Sequence, residues 1–268
     1  VHPIERLRYV ARASGADQGP LVRESAGALA TFADDPHGLV VACRRIVDRH
    51  PASAPLWWLC GRLLIADDPY REAWAATDEV ENDRTALELA RALPDGATVC
   101  VLGWPEQIGE AMARRGDLDV LVVDALGEGS GLVRRLVATG MDATDVPMTG
   151  LGQAVAASDL LLLEASAVGP DSMLAIAGTL AAASVARHHA IPVWVAAGVG
   201  RLVPQRVWEA MIARLERVHA DPWEADDEIV ALELVDRIAG PIGLEDAAEA
   251  RRRTDCPIAP ELFGGNAW

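Results

Sequence analysis

Three carboxylates stand where this sequence could do acid–base work: Asp124 after an apolar run ending Val-Val123, Glu164 after Leu160–Leu163, and Asp171 seven residues on. Carboxylates brought together at the ends of neighbouring strands push one another's pKa values apart, so one can donate a proton while another accepts it. Other chemistry is excluded by residue type. All 24 basic residues are Arg and none is Lys, which removes Schiff-base catalysis and the lysine of phosphate-binding loops. Cys43, Cys60, Cys100 and Cys256 are far apart and form no CxxC, so neither a zinc site nor a disulfide scaffold is expected. His188-His189 end an Ala-rich stretch, where a cation suits the carboxyl end of a helix; no acid at ligand spacing points to a metal. Gly127-Glu-Gly129-Ser-Gly131 is either a phosphate cradle or a flexible loop, and its spacing is not that of a dinucleotide fingerprint. No GxSxG elbow occurs. Trp57-Trp58 and Trp74 lack interleaved basic residues, so they read as core or interface rather than a base-stacking platform. No cofactor is expected.

These residues must be positioned by elements whose periodicity changes near residue 96. Residues 2–93 read as helical throughout, with a long helix over Tyr70–Leu93 ended by Pro94-Asp-Gly96. From there short apolar runs alternate with helical segments: strands at 97–102, 118–123, 142–146, 160–164 and 192–196. Helices are read at 105–115, 131–139, 151–156 and, Ala-rich, from Met173 to His189. Such alternation predicts parallel βαβ units, and uninterrupted apolar strands predict a sheet covered on both faces. The expected architecture is α/β: a helical domain over 1–95, then a Rossmann-like, doubly wound, mainly parallel sheet over 96–268 with a C-terminal dimerisation segment. In such sheets ligands bind beyond the carboxyl ends of the strands. Those ends are Gly103-Trp104, Asp124-Ala125, Pro147-Met148, Glu164-Ala165-Ser166 and Ala197-Gly198. After Arg217 the chain turns acidic and shows a strand-like Ile229–Leu234; Arg251-Arg-Arg253 follows.

Bulk properties narrow the partners. At 268 residues the chain can bury one large core or two modest ones. A net charge of −16 argues against duplex nucleic acid and anionic membrane surfaces. The amino-terminal residues form no signal region, and the longest uncharged run, Ser172 to Ala186, is too short to span a bilayer; a cytoplasmic location is expected.

The segment from Leu160 to Ala197 resembles the family of the translation initiation factor 2B alpha, beta and delta subunits, methylthioribose-1-phosphate isomerase and ribose-1,5-bisphosphate isomerase. The family's Gly-Ala-Asp strand end corresponds to Glu164-Ala165-Ser166. Its Asn-Gly-Asp turn corresponds to Gly169-Pro170-Asp171-Ser172, and its Asn-Lys-x-Gly-Thr to Ala175-Ile176-Ala177-Gly178-Thr179. Pro192–Ala197 and Asp255–Leu262 match two further stretches. The departures lie in the residues of chemistry. Gly103-Trp104 stand where the isomerases have their catalytic Cys, with Cys100 three residues early, inside the strand. Ala175-Ile176 replace Asn-Lys, and Asp124-Ala125-Leu126-Gly127 replace Glu-Ser-Arg-Pro.

What the resemblance implies is a binding module for a phosphorylated sugar or nucleotide without the usual Cys/Asp chemistry. The alternatives are an active aldose–ketose sugar-phosphate isomerase using Asp171 with Asp124 or Glu164, and a ligand-free assembly scaffold. Asp171 is either the catalytic acid or an acceptor of backbone N–H groups at the head of the helix from Met173. The ligand-binding set comprises Arg12, Gly15 and Ala16 near the N-terminus and Gly103, Trp104, Asp124, Ser166, Ser172, Gly178 and Thr179 at the sheet. A homodimer or larger homo-oligomer is expected, with Ile229–Leu234 too apolar for a monomer's surface.

Overall fold

A computed structural model describes residues 18–218 and 221–263. Its elements, in chain order, begin with helices α1 (Gln18–Leu29), α2 (Pro36–Arg49), α3 (Ala54–Ile65), α4 (Pro69–Glu81) and α5 (Thr85–Ala92). There follow β1 (Thr98–Leu102), α6 (Glu106–Ala113), β2 (Asp119–Val123), α7 (Gly129–Ala138), β3 (Asp142–Val146), α8 (Leu151–Ala156) and β4 (Leu160–Val168). Then come β5 (Ser172–Ile176), α9 (Thr179–His188), β6 (Val193–Ala196), α10 (Gln205–Val218), β7 (Asp227–Ala231), β8 (Arg237–Gly240), β9 (Gly243–Asp246) and α11 (Ala247–Ala250). The described residues divide into two compact units. One holds 18–83, 199–218 and 254–263, the other 84–198 and 221–253. A single carboxyl-terminal body over 96–268 was expected; instead α10 and the last described residues cluster with the early helices.

The first unit is helical. Asp35 and Asp68 start α2 and α4, each accepting from a backbone N–H three residues on (Gly38 and Arg71, both 3.0 Å) ahead of a Pro at the first helical position. Trp57 and Trp58 of α3 are fully buried, as core residues. The Arg214 guanidinium of α10 lies 4.7 Å from the Trp57 ring and bonds Asp48 at 2.7 Å, so the late helix is tied to the early ones. Pro257 packs on α3, where a Cβ at Gly61 would come within 2.9 Å of its carbonyl oxygen. The long helix expected over Tyr70–Leu93 is two helices. Asn82 ends α4, its side-chain amide donating to the Asp78 carbonyl at 2.8 Å, and α5 begins at Thr85 in the second unit. Such local side-chain bonding competes with the helix ladder, and it marks the break without a Gly or Pro.

The second unit is the doubly wound sheet. Strand order is β3-β2-β1-β4-β6-β8, all parallel, with β9 antiparallel at the edge. All five strands read from the sequence are present, and no strand precedes β1 among the described residues. Val99, Val101, Val120, Val122, Leu160 and Leu162 bury one face against Ile108, Met112, Leu132 and Leu136 of α6 and α7. Cys100, Leu161 and Leu163 alternate to the other face, where α8 and α9 pack. The Ala-rich stretch from Met173 is not helix from its start. Ser172–Ile176 is β5, antiparallel to β4 on one side and to β7 on the other, and the helix begins only at Thr179. Gly178 at φ +98° makes the change of direction, in a conformation that disfavours any side chain. The strand read at Ile229–Leu234 sits earlier, at Asp227–Ala231, and gives way to a 3₁₀ turn over Leu232–Leu234. Val230, Leu232 and Val235 are buried within this unit. Of the stretch Ile229–Leu234, Ile229 is left exposed.

Candidate functional site at the carboxyl edge of the sheet

Strand order reverses direction between β1 and β4, and it is outside the carboxyl ends of such a pair that α/β sheets hold their ligands. β1 runs out into Gly103-Trp104. Gly103 takes φ +61°, and a Cβ there would lie 3.0 Å from the Ile176 Cδ1 atom. Trp104 keeps 39% of its surface exposed while its ring lies on Gly131 of α7, where a Cβ would come within 2.5 Å of the ring. A Cβ at Gly178 would overlap the Met148 Cε atom and lie 3.6 Å from Leu102 Cδ2. The geometry thus gathers Gly103, Ile176, Gly178, Leu102 and Met148 at one edge, with Trp104 adjoining. Met148, Leu102 and Ile176 carried no mark in the sequence that set them apart from core residues.

Three of the helices that start along this edge, α6, α7 and α9, have their N-termini filled from within. Glu164, at the end of the parallel part of β4, accepts from Gln107 N at 2.9 Å and Ile108 N at 3.4 Å in the first turn of α6. Asp124, just beyond β2, accepts from Gly129 N at 2.8 Å at the head of α7. Glu228 of β7 accepts from Leu180 N at 2.6 Å at the head of α9. A helix N-terminus offers unsatisfied N–H groups and a partial positive charge, which is why phosphates bind there. At α6, α7 and α9 a carboxylate of this chain already uses both. Nothing near Glu228 in the sequence marks it for this task, since the amide it accepts from lies 48 residues earlier.

The remaining candidates are dispersed. Ser166 sits half-buried where the β4–β5 register shifts. Thr179 is buried with its Oγ1 unpartnered among the described residues, closed off from solvent. Asp171 and Ser172 do not stand at the head of the Ala-rich helix. They form the tip and first residue of the β4–β5 hairpin, five residues of extended strand from Ile176, or roughly 16 Å at strand rise. The Asp171 side chain is 87% exposed and faces Arg251 at 3.3 Å. Asp171→Asn is accordingly expected to shift the melting temperature by no more than about 2 °C and to leave anion affinity unchanged. A large change in either would return Asp171 to the site. Cys100 is buried in β1 and its thiol is pushed up to about 12 by burial, so it supplies no thiolate near neutral pH. Arg12, Gly15 and Ala16 lie outside the described residues. Among the described residues no group of three or more His, Cys, Asp or Glu side chains is placed to hold a metal, and no helix is long and apolar enough to cross a membrane.

No protein-family model matches the chain, and no curated protein matches it in sequence. Solved structures do. The translation initiation factor eIF-2B of Pyrococcus horikoshii OT3 superposes with a TM-score of 0.76 at 15% identity, over 92% of this chain and 98% of that one. A subunit of the tetrameric eIF2B-beta2-delta2 complex of Chaetomium thermophilum gives 0.71 at 15% identity, over 93% and 92%. The eIF2B delta subunit of A. fulgidus gives 0.60 at 16%, over 91% and 88%. At this identity the likeness is one of fold: the chain is built like the eIF2B subunits, a helical part joined to a Rossmann-like α/β part.

Proposed function

We propose that this chain is an initiation-factor-2B-like module that acts by assembly, without isomerase chemistry and with the phosphate crevice of its fold closed by its own carboxylates. The observation that carries this reading is Glu164 on the α6 amides. An incoming phosphate would have to displace a carboxylate that makes two charge-assisted bonds, each worth about 1.5–3 kcal/mol. It would do so on an edge that also holds Asp124 and Glu228 and offers no Lys. Proton transfer between two acids fares no better: Asp124 and Glu164 are tied to helix N-termini, and Asp171 is a hairpin's length away. One eIF2B relative of this fold is a tetrameric complex, and self-association of this chain, as a homodimer or larger homo-oligomer, is the corresponding expectation. A cytoplasmic location belongs to the same reading.

Binding of a phosphorylated sugar or nucleotide is the second reading. It draws support from the reversal of strand order between β1 and β4 and from Gly103 and Gly178, whose positive φ lets strand end and helix head approach. One pair of measurements separates the two. Under the assembly reading, ribose 5-phosphate and nucleoside monophosphates leave the melting temperature where chloride of equal ionic strength leaves it. Sedimentation at roughly tens of micromolar protein gives a mass above the monomer. Stabilisation that rises with the logarithm of phosphate-ester concentration supports the second reading. A monomer indifferent to phosphate overturns the first.

A further inference from the structure

Strand β7 pairs with β5 along one edge and with no other strand among the described residues. In this antiparallel ladder Ala177 N donates to Asp226 O at 2.8 Å and Leu232 N to Asp171 O at 3.0 Å. Hydrogen-bonded pairs alternate, so Glu228 and Val230 turn their main-chain groups to β5, while Ile229 and Ala231 turn theirs to the open edge. Open edges in folded proteins are commonly blunted by Lys, Pro or a bulge. β7, Asp-Glu-Ile-Val-Ala, has no Lys, Pro or bulge, and its charged side chains, Asp227 and Glu228, are both acidic. Exposed apolar side chains lie on it and just before it instead: Ile229 is 48% exposed, and Trp223, on the 3₁₀ turn Pro222–Glu224 leading towards the strand, is 81% exposed.

The segment that carries this edge is one-sided in charge, with Arg187 and Arg251 reaching only its far end, at the Glu233 carbonyl and at Asp171. From Asp221 to Asp236 the chain carries Asp221, Glu224, Asp226, Asp227, Glu228, Glu233 and Asp236 and no Arg. Glu228 and Asp236 serve inside the unit, accepting from Leu180 N and Val193 N, whereas Glu224, Asp226 and Glu233 are exposed. A second copy of a chain with net charge −16 would bring a second acidic edge to the first. A basic strand answers both the charge and the geometry.

We propose that β7 is an acceptor edge for an extended, basic segment of a partner protein, which adds to it as a further strand. The main chain of Ile229 and Ala231 supplies the pairing, Trp223 and Ile229 seat the segment's apolar side chains, and Glu224 and Asp226 meet its cations. Strand addition takes affinity from main-chain bonds and specificity from alternate side chains. This partner surface is independent of whether the chain self-associates.

The probe is a labelled nine-residue peptide of alternating Val and Arg with blocked ends, titrated into the full chain by fluorescence anisotropy. Saturable binding with a Kd on the order of 10 µM is expected, weakening as salt rises from 50 to 300 mM. The matching Val/Glu peptide is not expected to bind. Ile229→Pro removes an outward N–H and leaves the β5 ladder intact, as Pro is tolerated on edge strands; it should weaken binding at least about tenfold. Trp223→Ala lies outside the ladder and should do the same, which keeps the test decisive if Ile229→Pro fails to fold. The proposal is overturned if the native chain binds neither peptide or both equally, or if neither variant changes the Val/Arg affinity. It is also overturned if Ile229→Pro dissociates an oligomer, since the edge would then belong to a second copy.

Discussion

A chain carrying Glu164→Ala should lose stability in chloride and regain part of it in phosphate, whereas the native chain should respond to neither anion in particular. Glu164 satisfies Gln107 N and Ile108 N, two donors at the head of α6. Deleting a capping side chain costs about 0.5–2 kcal/mol, which for a chain of this size is a fall in melting temperature of roughly 2–8 °C. The vacated amides and the helix dipole then present a site for an anion, worth up to about 2 kcal/mol in a partly buried setting. Recovering about 1 kcal/mol takes free phosphate at roughly four times its Kd. Glu164→Gln keeps a neutral acceptor in place and should respond to phosphate far less. Stabilisation of the native chain by phosphate, or indifference of Glu164→Ala to it, would sink the argument that this carboxylate closes the crevice.

The parallel strands were legible because each is a short, local apolar run, such as Thr98–Leu102 or Asp119–Val123, bounded by turn residues. β5 was not. Ser-Met-Leu-Ala-Ile reads as the start of an Ala-rich helix, and its hairpin to β4 and its ladder to β7, more than 50 residues later, make it a strand. Non-local pairing of that kind leaves no periodicity to read. The break at Asn82–Arg84 escaped for the opposite reason: it rests on a purely local side-chain bond inside an unbroken helical pattern. At the candidate site, Gly103, Trp104 and Asp124 were legible from the rule that ligands gather at strand ends. Asp171 reads either as a catalytic acid or as a cap on a helix from Met173, and the capping role fails because that helix starts at Thr179, six residues on. Glu164 was visible as a strand-end acid, but its work on the α6 amides depends on how β4 and α6 face each other, which no spacing encodes.

If the chain acts by assembly, it has no turnover to lose, and its most damaging substitutions should lie in the core rather than at the strand ends. Gly200 is the sharpest case. It follows β6 where the chain enters the helical unit, beside Val199, whose N–H donates to Asp83 at 2.9 Å. Its φ is +75°, and a Cβ would fall 2.9 Å from Cγ of Trp58 and 3.0 Å from both Cβ and Cδ2. That ring has nowhere to go: it is buried, and the Arg62 guanidinium lies 4.6 Å from its centroid, bonded in turn to Glu72 and Glu79. Gly200→Ala therefore combines a left-handed backbone, about 1–2 kcal/mol for a residue with a Cβ, with overpacking of about 1–3 kcal/mol. The melting temperature should fall by roughly 5–20 °C, more than for Glu164→Ala in any anion. Trp58→Ala is itself destabilising, yet it removes the ring atoms that the new methyl meets. In that background Gly200→Ala keeps the backbone share and the contact with the remaining Cβ at position 58, 3.0 Å away, so a double-mutant cycle should give a coupling of about 1–2 kcal/mol. An equal cost in both backgrounds would mean that Gly200 is required for its backbone alone, and that the ring on α3 is not what selects it.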